Sequence, residues 1–241
     1  PEEMNRRLAA VITDMHFAPT ETAKKNLLHE GISEDSIYIT GNTVIDALLS
    51  ISSQDYQFQE PELNKAIKSD KLILMTAHRR ENWGEPMERI CKSVVRIVDE
   101  NPDVTVLFPV HKNPVVRETV FPMLEGNERI ILTEPPDYVP FVHLIKHSYL
   151  VLTDSGGVQE EAPSLGKPVV VLRETTERPE GVEAGNAKLV GTDIENIVST
   201  TNDLLRNRES YITMSQVRNP YGDGSAAQKI WDAIAARFDL K

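Results

Sequence analysis

The residues of this sequence that could do chemistry follow short apolar runs, each typical of a buried β-strand. Most of them are basic, and the set comprises His78, Arg79, His111, Lys112 and Arg178. In an open α/β sheet, ligands bind beyond the carboxyl ends of the strands, so these side chains are predicted to gather at one edge. The chain has 26 Lys and Arg against 37 Asp and Glu, a net charge of −11. Local basic enrichment in so acidic a chain indicates a pocket for a small anion.

The turn Ser155-Gly156-Gly157 follows the apolar run 149–153 and opens a predicted helix. Because glycine has no Cβ, the backbone could approach a ligand closely, and the N–H groups at a helix start favour an anion. A phosphate or diphosphate would fit there. A tight strand-to-helix turn without any ligand explains the same residues equally well, since two adjacent glycines are not a fingerprint by themselves.

Glu160 and Glu161 stand one turn into that helix, and at least one of them is predicted to face the ligand. A carboxylate at such a place could accept hydrogen bonds from both hydroxyls of a ribose. Acidic side chains are also common near helix starts with no ligand, because the helix dipole favours them. For an isolated pair of glutamates this simpler interpretation is favoured.

His78 and His111 each follow a predicted buried strand. A histidine could hydrogen-bond a phosphate or move a proton near neutral pH, and the alternative is a histidine that caps loop carbonyls. The strand-end position favours a functional role for His78, while His111 could serve a second anion. No spacing of His, Cys, Asp or Glu in the sequence indicates a metal site.

Composition excludes several classes of protein. A net charge of −11 argues against a general nucleic-acid binder, which needs a basic surface. The single cysteine, Cys91, excludes a disulfide within the chain and a cysteine-based zinc site, and it favours the cytosol. No apolar run reaches the roughly 18–20 residues of a membrane-spanning helix.

Strand-like runs alternate with helical patterns over nearly the whole chain, which predicts a doubly wound, Rossmann-like parallel sheet. Residues 1–50 are predicted to be the tail of an N-terminal Rossmann-like domain, and residues 51–241 a second such domain. The sequence opens with Pro1 and offers few early strands, so we expect most of the first domain to be absent.

Several motifs together resemble those of the non-hydrolysing bacterial UDP-N-acetylglucosamine 2-epimerases. The matching segments are PEEMNR at 1–6, TAHRREN at 76–82, PVH at 109–111, DSGGVQEEAPSLGKP at 154–168, ERPE at 177–180 and NPYGDG at 219–224. The resemblance implies a glycosyltransferase-B-type fold and an isomerase without a cofactor. Such an enzyme interconverts UDP-N-acetylglucosamine and UDP-N-acetylmannosamine by UDP elimination and re-addition.

The resemblance also implies roles for individual residues. Glu2, Arg6 and His78 correspond to catalytic residues, and His111 corresponds to a candidate allosteric residue. The residues that correspond to UDP-binding positions are Arg79, Phe141, Ser155, Gly156, Gly157, Glu161 and Arg178. A cytoplasmic homodimer that makes precursors of cell-surface polysaccharides is the implied setting.

Some acidic residues of the family's first domain are missing from this sequence, so we expect the 241-residue chain alone to bind UDP weakly and to convert nothing. Three alternatives stay open at the level of sequence. They are a hydrolysing 2-epimerase, a UDP-sugar glycosyltransferase of the same fold, and a UDP-sugar sensor without catalytic activity.

Overall fold

A computed structural model describes residues 1–240 as alternating helices and strands. The strands are β1 (His16–Ala18), β2 (Ile37–Ile39), β3 (Lys71–Thr76), β4 (Val104–Pro109), β5 (Ile130–Thr133), β6 (Leu150–Thr153), β7 (Val169–Val171) and β8 (Ala187–Leu189). The helices are α1 (Glu2–Val11), α2 (Glu21–His29), α3 (Thr43–Ser52), α4 (Pro61–Ala66), α5 (Glu85–Glu100), α6 (Pro114–Leu124), α7 (Tyr138–His147), α8 (Gly156–Glu161), α9 (Pro179–Ala184), α10 (Ile194–Arg206), α11 (Arg208–Ser215) and α12 (Ala226–Phe238).

Strands β3 to β8 form a parallel sheet in the order β5-β4-β3-β6-β7-β8. This is the strand order of dinucleotide-binding folds, in which the first and fourth strands lie side by side and later strands are added outward from them in opposite directions. Here the reversal lies between β3 and β6. The predicted fold class, an α/β protein with a doubly wound parallel sheet, is confirmed.

Both faces of this sheet are covered, which explains why its strands are apolar at successive positions. Within β3, Ile73 and Met75 join a core that includes residues of α5, α6, α10 and α11. Leu72 and Leu74, on the other face, join a core that includes residues of α4, α7 and α8. Helix α4 contributes buried Leu63 and Ala66 to the second core.

Local sequence signals set where the main helices begin. Helix α5 starts after Gly84, whose φ of 75° suits glycine, and has Pro86 in its first turn. Helix α6 starts at Pro114, and the Asn113 side chain accepts a hydrogen bond from the Val115 N–H. Both starts follow strands that end at the same edge of the sheet.

The chain divides into two compact units, and the division differs from the predicted domain ranges at the C-terminus. One unit is Leu48–Asn219, and the other combines Pro1–Ala47 with the segment that starts at Pro220. The sequence pattern predicts this last segment as part of the second domain, residues 51–241. The Asn42 N–H donates to the Tyr221 carbonyl at 2.7 Å, and Tyr221 is buried. These contacts are formed over long sequence separation, so no local pattern indicated them.

Asp46 also holds the C-terminal segment within that unit. Its carboxylate accepts hydrogen bonds from the Ala226 N–H at 3.1 Å and the Ala227 N–H at 2.9 Å, at the start of α12. The first N–H groups of a helix have no partner inside the helix, so a carboxylate from α3 satisfies them and complements the helix dipole.

Among the described residues, no helix combines the length and the apolar composition needed to cross a bilayer.

Replacing Asp46 by Ala is expected to loosen the start of α12. A hydrogen bond to a charged group contributes about 1.5–3 kcal/mol, so the Ala226 and Ala227 amides should exchange with deuterium roughly ten- to a hundredfold faster. Hydrogen exchange followed by NMR measures this. Asp232→Ala, which removes an exposed carboxylate from the middle of the same helix, is the control. Unchanged exchange in Asp46→Ala would contradict the capping role.

Candidate functional site

A cavity of about 310 Å³ opens at the carboxyl ends of the strands, beside the reversal between β3 and β6. It is a mixed site in which apolar walls carry a few polar groups, as ligand pockets do. Its lining residues are Thr76, Ala77, His78, Pro109, His111, Pro135, Pro136, Tyr138, Phe141, Ser155, Gly157, Val158 and Glu161. Of the strand-end residues predicted to gather at one edge, His78, His111, Ser155 and Gly157 line this cavity, whereas Arg79, Lys112 and Arg178 do not. The segment after β5, which the sequence did not single out, contributes Pro135 and Pro136.

The ends of β3 and β6 are joined by side chains. Thr76 Oγ1 and Thr153 Oγ1 lie 2.6 Å apart and share a hydrogen bond, and Thr153 Oγ1 also accepts from the Ser155 N–H at 2.9 Å. The next residue, Asp154, is fully buried, and its Oδ2 accepts from the backbone N–H groups of His78 and Arg79, both at 2.8 Å. The loop after β3 is thus fixed to the turn after β6.

His78 and His111 lie together at the wall of the cavity. Their rings stack with centroids 5.2 Å apart and an angle of 15° between the planes. Burial lowers the pKa of His78, and the neighbouring His111 and Arg79 add to this, while the Asp154 carboxylate opposes it. The His111 Nδ1 accepts from the Asn113 N–H at 3.1 Å, which leaves Nε2 as the nitrogen that carries the proton in the neutral ring.

The Ser155-Gly156-Gly157 turn forms the start of α8 as the sequence predicted. Gly156 is buried and Gly157 is exposed at the cavity. A Cβ on Gly157 would lie 3.9 Å from both Glu161 Oε2 and Ser155 Oγ. Glycine therefore keeps open the space between two side chains that are both predicted to bind the ligand.

Glu161 lines the cavity, whereas the Glu160 carboxylate accepts a hydrogen bond from Arg178. The Tyr138 hydroxyl donates a hydrogen bond to Glu161 Oε1 at 2.7 Å. Burial raises the pKa of Glu161; the hydrogen bond from Tyr138 lowers it in part, and the nearby Glu160 raises it. Phe141, on the same helix as Tyr138, lines the same cavity.

Arginine side chains lie beside Gly156 and are paired with carboxylates. Arg79 Nη2 donates to Glu177 Oε1 at 2.9 Å, and Arg178 Nε donates to Glu160 Oε1. A Cβ on Gly156 would lie 3.5 Å from Arg79 Nη2 and 4.0 Å from Arg178 Cζ, so both guanidinium groups are close to the start of α8. The buried Arg173 holds the other Glu177 oxygen and Glu81 Oε1, which fixes this ion-pair network to β7.

Glu2 and Arg6 lie on α1, in the unit that begins at Pro1. Glu2 is exposed and lies 3.3 Å from the N-terminal amine, and Arg6 donates to Glu3 and to Glu30. Arg6 lines an open cavity of about 700 Å³ formed by residues of this unit. Their assignment as catalytic residues stays a prediction.

Sequence reasoning missed four residues that shape the site: Asp154, Asn82, Tyr138 and Arg173. Asp154 and Asn82 stand inside motifs that were noted, and an acidic residue directly after a buried strand was a usable signal. Tyr138, the first residue of α7, hydrogen-bonds Glu161, the last residue of α8, 23 residues away in sequence. Within residues 1–240, no group of three or more His, Cys, Asp or Glu side chains is placed to hold a metal ion. Cys91 is buried, and burial raises the pKa of its thiol to about 12.

Comparisons with known proteins point to one family. A family model described as UDP-N-acetylglucosamine 2-epimerase matches residues 1–235. The chain is 54% identical over 241 residues to the UDP-N-acetylglucosamine 2-epimerase of Bacillus subtilis (strain 168), covering 100% of this chain and 63% of that protein. The chain thus spans less than two thirds of the length of this relative.

Solved structures give the same picture. A structure described as S. aureus MnaA in complex with UDP has a TM-score of 0.92 and 48% identity, covering 100% of this chain and 65% of that one. The UDP-GlcNAc 2-epimerase from Neisseria meningitidis, bound to UDP-GlcNAc, has a TM-score of 0.87 and 44% identity, covering 98% of this chain and 65% of that one.

Replacing Tyr138 by Phe is expected to raise the pKa of Glu161 further. The hydroxyl stabilises the charged carboxylate by donating a hydrogen bond, so its loss favours the protonated form. Carboxyl ¹³C chemical shifts followed against pH measure the change. Tyr56→Phe, which removes a hydroxyl from a ring stacked on His143, should leave the pKa of Glu161 at its wild-type value. A Glu161 pKa that is unchanged or lower in Tyr138→Phe would show that this hydrogen bond is not made.

Proposed function

Because the chain belongs to the UDP-N-acetylglucosamine 2-epimerase family, we propose that it is the UDP-holding part of an isomerase that interconverts UDP-N-acetylglucosamine and UDP-N-acetylmannosamine. The proposed reaction inverts C2 by elimination of UDP followed by its re-addition, without net hydrolysis. The observation that carries the proposal is the cavity beside β3 and β6. There the Ser155-Gly156-Gly157 turn, Glu161 and His78 converge on one space.

Each group at this cavity matches one part of a uridine diphosphate. The N–H groups at the start of α8 suit the diphosphate, and Arg79 and Arg178 add positive charge beside Gly156. The Glu161 carboxylate suits the two ribose hydroxyls, and the Phe141 ring offers an apolar surface for the base. Both arginines now pair with Glu177 and Glu160, so an incoming diphosphate would compete with carboxylates for them.

The proposed chemistry needs stabilisation of a leaving group. As the C1–O bond breaks, negative charge develops on the departing diphosphate, and N–H donors and cations already in place lower the barrier. His78, beside the same turn, could donate a hydrogen bond or a proton to that group. Among the described residues that line this cavity, Glu161 alone carries a carboxylate, so the pair expected to move the C2 proton is not supplied by this lining. We therefore propose that this chain alone does not complete the reaction.

Glu2 and Arg6 are kept as proposed contributors to catalysis in the full-length protein. Proton removal from C2 needs a base, and Glu2 supplies a carboxylate of the right type. A homodimer in the cytosol, serving the synthesis of cell-surface polysaccharide precursors, is proposed for the full-length protein on the family resemblance and the single buried cysteine.

The ribose assignment is tested by replacing Glu161 with Gln. An amide cannot accept two hydroxyl hydrogen bonds as the carboxylate does, and losing a charged partner costs about 1.5–3 kcal/mol. UDP affinity, measured by titration calorimetry, should fall roughly ten- to a hundredfold. Glu183→Gln, an equivalent change at an exposed position of α9, should leave affinity at the wild-type level. Equal UDP affinity in wild type and Glu161→Gln would remove Glu161 from the site.

The reaction is tested with the full-length protein and UDP-N-acetylglucosamine in deuterated water. If the C2 proton is removed and another returns on the opposite face, the UDP-N-acetylmannosamine formed should carry deuterium at C2, as detected by mass spectrometry. Glu2→Gln should slow this incorporation by a factor of about 10²–10⁴ while leaving UDP binding nearly unchanged.

Three outcomes would overturn parts of this proposal. Product that retains its original C2 hydrogen excludes elimination, and release of free N-acetylmannosamine with UDP would assign the protein to the hydrolysing 2-epimerases instead. Glu2→Gln protein that exchanges at the wild-type rate would take Glu2 off the catalytic list.

A further inference from the structure

Asp154 has one oxygen with three donors and one oxygen with none. Oδ2 accepts from the backbone N–H groups of His78 and Arg79 and from Asn82 Nδ2 at 2.9 Å. Within the described part of the chain, Oδ1 has no hydrogen-bond partner, although its residue is fully buried. His78 Nδ1 lies 3.4 Å from Oδ1. A buried carboxylate oxygen without a donor is costly, so a proton on His78 Nδ1 is the group that would satisfy it.

A proton on Nδ1 decides what the rest of the ring can do. A neutral imidazole carries one N–H and one acceptor nitrogen, and the partner of one nitrogen sets the state of the other. With Nδ1–H directed at Asp154, His78 presents Nε2 to a ligand, as an acceptor when the ring is neutral and as a donor when it is charged. Carboxylates orient histidines in this way in metal sites and in hydrolases.

We propose that Asp154 is a positioning residue that fixes the tautomer and orientation of His78 through Oδ1, while Oδ2 fixes the backbone on which His78 stands. What His78 then does to a diphosphate rests on the proposed function; the geometry of the pair does not. The residue acts through His78 and lies behind the cavity wall, since it is fully buried and does not line the cavity.

The charges around His78 support a role beyond holding the loop. Burial, His111 and Arg79 all disfavour the imidazolium and lower the pKa of His78, and Asp154 is the group that opposes them. A cationic His78 beside a diphosphate would stabilise the anion. The Asp154 carboxylate favours this charged form of His78, because it raises the pKa of the ring against the other groups. A merely structural Asp154 would need only Oδ2.

The direct test is ¹⁵N NMR of the 241-residue chain labelled at histidine, with the His78 signals assigned by their loss in His78→Gln. Long-range ¹H–¹⁵N correlation in the neutral ring should show a protonated Nδ1 and an unprotonated Nε2. The opposite tautomer would overturn the proposal. Because this measurement needs only the wild-type chain, it decides the matter even if a variant at Asp154 does not fold.

A set of variants separates the effect of the Asp154 charge on His78 from the effect of the hydrogen bonds that Asp154 Oδ2 accepts. Asp154→Asn keeps an oxygen acceptor of the same size but removes the charge, so the pKa of His78 should shift downward. Asp103→Asn removes a carboxylate at the opposite, amino end of β3, where it pairs with Lys71, and should not shift it. Asn82→Ala removes one of the three Oδ2 donors but keeps the charge, so it should destabilise the chain without the same downward shift. A His78 pKa equal to wild type in Asp154→Asn would contradict the proposal.

A binding measurement gives an independent readout. The ratio of UDP to uridine affinity isolates the diphosphate, because both ligands carry the ribose that Glu161 would hold. In wild type this ratio should rise as pH falls through the pKa of His78, and in Asp154→Asn the rise should move to lower pH. An unmoved rise would contradict the positioning role. If UDP does not bind at all, the proposed function fails, while the tautomer measurement still decides the role of Asp154.

Discussion

One buried carboxylate holds the candidate site together. Asp154 follows β6, yet its hydrogen bonds go to the loop after β3, which lies next to it because β3 and β6 are neighbours in the sheet. Three N–H groups converge on a single oxygen of a fully buried side chain, where water cannot replace them. The direction of the loop after β3, the position of His78 and the start of α8 all depend on this one junction.

A second constraint is the balance of charge around that junction. The chain is acidic overall, yet several arginines lie near the start of α8, and each of those described above is paired with a glutamate. Arg173 is buried and pairs with two partly exposed glutamates, Glu81 and Glu177, so removal of these carboxylates would leave a buried guanidinium without its partners. These pairs keep guanidinium groups close to the place where an anion would bind, and they do so without leaving unpaired positive charge in a ligand-free protein.

Much of the architecture could be predicted because its causes are local. The run 72–75 is apolar at every position, which is typical of a strand covered on both sides, and the two cores found on opposite faces of β3 explain the pattern. Asn113 and Pro114 carry a local helix-start signal in their capping preferences, and α6 begins there. The sequence pattern places the C-terminal segment in the second domain, whereas the structure places it in the unit that begins at Pro1. The contacts of Asp46 with the start of α12 span 180 residues of sequence, so no local pattern indicates them.

Basic and glycine residues follow the apolar runs of this sequence, and this local pattern is enough to predict one edge of the sheet as the site for an anion. Strand identity depends on side-chain patterns that repeat within a few residues. Strand order does not, and the tertiary structure alone decided that β3 lies beside β6. That adjacency brings the Asp154 carboxylate within 3.4 Å of His78 Nδ1, and the packing of α7 brings Tyr138 to Glu161. Contacts of this kind carry no periodic signal, because each is made by single residues far apart in the chain.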